Sequence, residues 1–162
     1  MDTFDPLVSN VEVRNLQPSD LEAVIALDAK NVGRRRDEFF RLKLEQALSD
    51  TGITVSLAAE FDGLFAGFLL ARVFYGEFGV TERVAVMDVI DVHPDFRYQH
   101  VASSLLAQLR TNLLGLGIAI LRTEVGWDDQ DLLGFFRHEG FVMAQRLCLD
   151  LDLQAARARA DR

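Results

Sequence analysis

The 162-residue sequence predicts an α/β domain on a mixed sheet, in the order β-α-α-β-β-β-α-β-α-β. Three observations point there. Apolar runs at 53–61 and 64–75 are joined by Asp62-Gly63, a dipeptide that accepts the positive φ of a two-residue hairpin, so antiparallel strands are expected. A β-branched run over 83–92 feeds a helical pattern over 99–114 and then a buried run over 118–125, the strand–helix–strand order of a parallel pair. Helical periodicity fills two blocks before the hairpin and one after the last buried strand.

Taken in order, residues 1–10 read as a flexible N-terminal lead and 11–14 as a short strand. Ser19 with Glu22 three residues on forms a capping-box signal beside Pro18, and Leu21, Val24 and Ile25 give that helix one apolar face. A second helix is expected over 34–49, with Phe40, Leu44, Ala47 and Leu48 in its stripe, stopped by Asp50-Thr51-Gly52. The strand over 83–92 ends at His93-Pro94; the helix after it carries Val101, Leu105, Leu109 and Leu113 and ends at Gly115 and Gly117. A helix over 129–139 and a last alternating strand over 141–153 complete a single domain spanning 11–153, followed by a polar tail, 154–162.

Composition narrows the function classes. Hydrophobic residues make up 49% and charged residues 26%, the balance of a folded protein. No apolar run approaches the roughly 20 residues that span a bilayer, and the acidic start lacks the form of a secretory signal, so a cytoplasmic protein with no membrane partner is expected. A net charge of −8 argues against nucleic acid and suits a cationic ligand such as an amine. The lone Cys148 excludes an internal disulfide and reads as a small apolar core residue; His93, His100 and His138 have no metal-ligand spacing, so no metal is expected.

The informative stretch is 89–106, Val-Ile-Asp-Val-His-Pro-Asp-Phe-Arg-Tyr-Gln-His-Val-Ala-Ser-Ser-Leu-Leu. A strand enters a tight loop that opens a helix with small residues in its first turn. Such a helix start aims unpaired backbone N–H groups and the positive end of the dipole at an anion. The stretch resembles, in order and spacing, the pyrophosphate-binding motif of the GCN5-related N-acetyltransferase (GNAT) family. Phe135-Phe136-Arg137-His138-Glu139-Gly140-Phe141 is similar to the same family's Tyr-x-x-x-Gly-Phe signature.

The resemblance implies a GNAT-like acyl-CoA N-acyltransferase fold with acetyl-CoA as cosubstrate. Ile90, Asp91 and Val92 would border the pantetheine arm, and the amides of Arg97, Tyr98, Gln99, His100, Val101, Ala102 and Ser103 would cradle the pyrophosphate. Asp129 stands where the family often has an asparagine that contacts the cofactor, and Phe135 and Phe136 would pack on the pantetheine or line the acyl pocket. The acceptor would be the amine of a small molecule or protein, and the apolar last strand suggests a homodimer. Two positions depart from the pattern: His100 replaces the motif's first glycine, and Phe136 replaces the tyrosine that usually protonates the departing thiolate. Phenylalanine donates no proton, so a non-catalytic CoA-binding module is the competing expectation.

For a general base the family often has a glutamate near Val86; Asp88 is the nearest carboxylate here and is the candidate. By strict alternation Asp88 shares a side with Val86, Ile90 and Val92, and Asp91 points to the other. Arg34-Arg35-Arg36 borders the region where the family holds its acceptor, and Trp127 follows the last buried strand; both also fit ordinary roles, as a solvated charge run and a packed aromatic.

Overall fold

A computed structural model describes residues 10–49, 55–75, 79 and 81–160, apart from the side chains of 156, 158 and 160. The chain divides into two compact units, 1–124 and 125–162, each described by itself. The first holds a five-stranded sheet in the spatial order β1-β2-β3-β4-β5: Val11–Asn15, Leu57–Phe61, Leu64–Tyr75, Arg83–Val92 and Leu121–Thr123. The first four strands pair antiparallel, and β5 runs parallel to β4. The β2–β3 hairpin turns on Asp62 and Gly63 at φ 49° and 80°, both left-handed as the dipeptide predicted.

Helices α1 (Leu21–Val32) and α2 (Asp37–Ser49) bury Val24, Ile25, Leu27, Phe40, Leu44 and Ala47 with Ala58, Phe68 and Leu70 of the sheet. The other face is covered by α3 (Val101–Gly115), whose Val101, Leu105, Leu106, Leu109 and Leu113 are buried. Gly67 on β3 permits this packing. A Cβ there would sit 2.8 Å from Val101 Cγ1 and 3.0 Å from the Asp91 carbonyl oxygen. Buried Ser56 replaces a ladder step, donating to the Ala71 carbonyl (3.2 Å) and accepting from the Ala71 N–H (3.1 Å).

Several elements start or stop elsewhere than expected. The entry to α1 is a 3-10 turn, Pro18–Asp20, in which Asp20, not Ser19, accepts the Gln17 N–H at 2.8 Å while also pairing with Arg14. The second helix begins at Asp37 because Gly33, at φ 78°, ends α1 and Arg34–Arg36 form the turn. Residues 50–54, including the expected stop and the start of the 53–61 strand, lie outside the described residues. The long helix starts at Val101, since Tyr98 and His100 are left-handed at φ 62° and 60°. The strand expected over 118–125 pairs only at Leu121–Thr123.

The second unit holds α4 (Gln130–His138) and α5 (Leu153–Ala160). Phe136 is buried, its ring 5.4 Å from Phe135 and 4.9 Å from Phe141, and Gly140 takes φ 89° at the helix exit. The alternating strand expected over 141–153 is not formed: residues 142–152 carry no ladder and are exposed. Alternation marks a chain able to be a strand, but a strand exists only where a neighbouring edge takes its hydrogen bonds. Cys148, expected in the core, is exposed with it, and α5 occupies most of the expected tail.

Candidate functional site

The site begins where two strands part. β5 pairs with β4 only at Ala85, Val86 and Met87, and β4 runs on alone to Val92. On the opposite edge β4 stays paired with β3, Val92 against Gly67 and Ile90 against Leu69. The His93 N–H donates to the Ala66 carbonyl at 2.7 Å, so Val92, one residue earlier, turns its N–H and C=O away from β3. Alternation turns the N–H and C=O of Ile90 the same way. The Val92 pair is already met within the chain, its N–H by Asp91 Oδ1 and its C=O by Asn31 Nδ2, so the open part of this edge, past the last β5 pair, is at Ile90, where an extended ligand with amides of its own could pair.

The open edge leads directly into the loop. His93 Nδ1 accepts the Asp95 N–H (3.1 Å), and Phe96 stacks against Phe61 at 5.2 Å, fixing the 3-10 turn at Pro94–Phe96. The left-handed residues Tyr98 and His100 then swing the chain into α3. The first intrahelical bond runs from the Ser104 N–H to the His100 carbonyl, so the amides of Val101 and Ala102 come before the ladder begins. Left-handed residues lead into a 15-residue helix here, and a helix start of this kind turns N–H groups toward one side, the geometry that favours an anion in general. Every side chain from Arg97 to His100 is exposed, Tyr98 at 99%, so the chain presents its backbone here.

A bulge decides which way the carboxylates point. The β3–β4 register slips between Leu70 and Ala71, which leaves Asp88 as the extra residue between Met87 and Val89. Val92 and Ile90 therefore face α3, while Val89 and Asp91 face α1 and α2 with Phe68 and Leu70. Asp88 also reaches that face, where Lys43 Nζ of α2 (3.3 Å) and Arg72 Nε (3.5 Å) approach its Oδ2. The expected split of Asp88 from Asp91 is thus corrected: strict alternation fails at one extra residue. Asp88 is not sealed in an apolar strand but bound between two cations.

Asp91 has different surroundings. Its Oδ1 accepts a short hydrogen bond from Asn31 Nδ2 and another from the Val92 N–H at 3.0 Å. Asn31, on the last turn of α1, also donates to the Val92 carbonyl (2.9 Å) and accepts from Arg97 at 2.9 Å. Loss of solvent pushes the Asp91 carboxyl up to about 6; Asn31 opposes the shift, the nearby charge of Asp28 adds to it, and the Val92 N–H and Arg97 oppose it. Asp28, 1% exposed, is held by a two-pronged Arg36. Arg35 pairs with Glu22 and Asp37, so two of the three consecutive arginines serve the fold.

Of the expected cofactor residues, Ile90, Asp91, Val92 and Arg97 to Ser103 lie on one continuous run, from the open edge into α3. Asp129, Phe135 and Phe136 belong to the second unit, where the Asp129 carboxylate caps α4 by accepting the Leu132 N–H (3.1 Å). Trp127 is exposed. Sequence reasoning missed Asn31 and Gly67. An isolated glycine inside an apolar strand was the available signal for the latter; an asparagine near a helix end gave none for the former. Among the described residues no three histidine, cysteine or acidic side chains gather as metal ligands.

The sheet thus splits beside the exposed loop that opens α3. The model of the acetyltransferase (GNAT) family matches residues 17–141, and the chain belongs to that family. No curated protein sequence matches it. Among solved structures, the aminoglycoside N-acetyltransferase AAC(6')-Iy in complex with CoA is similar at 20% identity and a TM-score of 0.74, covering 93% of this chain and 99% of that one. The ribosomal-protein-alanine N-acetyltransferase from Brucella melitensis biovar Abortus 2308 is 21% identical at a TM-score of 0.69, covering 88% and 99%. A transcriptional regulator from Bacillus halodurans C-125 is 18% identical at 0.73, also covering 88% and 99%.

Proposed function

We propose that the protein transfers an acetyl group from acetyl-CoA to a primary amine by direct attack of the amine on the thioester. The observation that carries this reading is the continuity of the open β4 edge at Ile90 with the exposed loop from Arg97 to His100 and the start of α3 at Val101. The pantetheine amides would pair with the edge and the pyrophosphate would meet the N–H groups of the helix start. Holding both reactants in attack geometry supplies much of the rate in such a reaction. The acceptor, a small molecule or a protein, carries a cationic amine, which the net charge of −8 favours. Among the described residues no helix is long and apolar enough to cross a membrane, and we assign the protein to the cytoplasm.

A second reading is a CoA-binding module without catalysis, favoured by Phe136, which is packed among aromatic rings and has no hydroxyl to offer a departing thiolate. One assay separates the two. Purified protein is incubated with acetyl-CoA and, in turn, an aminoglycoside with a 6′-amine, an alanine-initiated peptide and a polyamine, and free thiol is followed. Amine-dependent thiol release supports transfer; tight CoA binding with no release from any of the three supports the module.

A further inference from the structure

We propose that Asp91 takes the proton from the acceptor's ammonium, and that Asn31 is the positioning residue that holds it ready. The inference rests on the acyl-CoA:amine reading above and deepens it. Asp91 lies on the α1/α2 face of β4, between Ile90, whose N–H and C=O turn toward the open edge, and Val92, whose N–H it accepts. A thioester lying along that edge and an amine arriving over α1 and α2 would meet at this carboxylate.

Its two oxygens are unequal. Oδ1 accepts from Asn31 and from the Val92 N–H, while Oδ2 accepts no hydrogen bond among the described residues and is the atom left for a proton. The charged groups around it are accounted for. Asp28 on α1 is neutralised by Arg36, Arg97 reaches Asn31 from the loop, and on β4 itself Asp88 is committed to Lys43 and Arg72. Asp88 is engaged by two cations, whereas Asp91 is held by one amide, with the exposed Arg97 behind that amide and the Asp28-paired Arg36 nearby. Its carboxyl, pushed up to about 6 by burial, is ionised at neutral pH yet basic enough to accept a proton.

The chemistry balances as follows. Oδ2 takes one proton from R–NH3+, and the freed nitrogen pair attacks the acetyl carbonyl carbon. The new C–N bond forms, the C–S bond breaks, and its electron pair leaves on sulfur. The nitrogen sheds its second proton and the thiolate gains one. Amide, CoA thiol and one proton to solvent result.

The test uses the full chain, acetyl-CoA and whichever of the three amines turns over. Asp91→Asn keeps the shape and both Oδ1 bonds; it is expected to lose about 100-fold in kcat, the usual scale of a general base, and to lose the acidic limb near pH 6. Its affinity for CoA, read by calorimetry, should stay at the wild-type value. Asn31→Ala removes a bond that stabilises the carboxylate, so the limb should move upward in pH, which a merely structural role would not do. Carboxyl-carbon NMR of the free protein provides a readout without turnover. A midpoint near 6, raised in Asn31→Ala, is expected; a midpoint at the ordinary aspartate value overturns the proposal. Asp91→Asn turning over like wild type, with its acidic limb intact, overturns it too and leaves acetyl transfer standing. A wild-type protein that releases no thiol with any amine overturns the functional reading, and this inference with it.

Discussion

His100 sits at φ 60° on the last residue before α3, a backbone state that costs an L-residue with a Cβ about 1–2 kcal/mol. The family motif has glycine there, and the structure supplies the reason: the turn is left-handed, so the constraint acts on the backbone as well as on the room beside the ligand. His100→Gly should therefore stabilise the protein by about 0.5–1 kcal/mol, the relieved strain less the extra freedom glycine gives the unfolded chain. CoA affinity should hold or improve. Urea denaturation and calorimetry check the two halves, and a loss of stability would show that the imidazole makes a contact worth more than the strain. At this scale the motif residues were legible because the resemblance fixes spacing. The facing of Asp88 and Asp91 was not, because a one-residue bulge leaves no mark in an alternating apolar run. Asn31 was invisible for a related reason, since its partners lie 60, 61 and 66 residues away.

Among elements, the union of β3, β4 and α3 sets the site. Gly67 is the point at which all three meet: a side chain there would press on Val101 of α3 and on the Asp91 backbone at once. Gly67→Ala is expected to cost about 1–3 kcal/mol, the range for overpacking a full core. It should also weaken CoA binding, because the atoms that must yield are the start of α3 and the end of β4. Thermal denaturation with CoA calorimetry tests this; a stable variant with wild-type affinity would mean that the sheet and helix are less tightly joined than the distances indicate. Element existence was readable wherever local chemistry settles it. Asp62-Gly63 forces its turn, and the stripe from Val101 to Leu113 can only be a helix face. What failed depended on partners. The 141–153 stretch alternates well and forms no ladder, and the parallel strand after α3 shrank to Leu121–Thr123 because pairing with β4 lasts for three residues. That early parting, unreadable from sequence, is what opens the edge at Ile90.

For the molecule as a whole, composition and element order sufficed to anticipate a mixed sheet covered by helices, and the family match over 17–141 agrees with them. The acidic balance acts at this scale as well. Much of it pairs locally with Arg14, Arg35, Arg36 and Arg41, and the surplus negative charge favours cations in general. The proposed placement of acetyl-CoA along β4, ending at α3, is the central claim. Backbone amide chemical shifts, recorded while acetyl-CoA is titrated into isotope-labelled protein, test that most directly. The largest and saturable changes are expected on Ile90, Val92 and the amides from Tyr98 to Ser103. Saturable shifts centred elsewhere in the chain, with these amides unmoved, would contradict it.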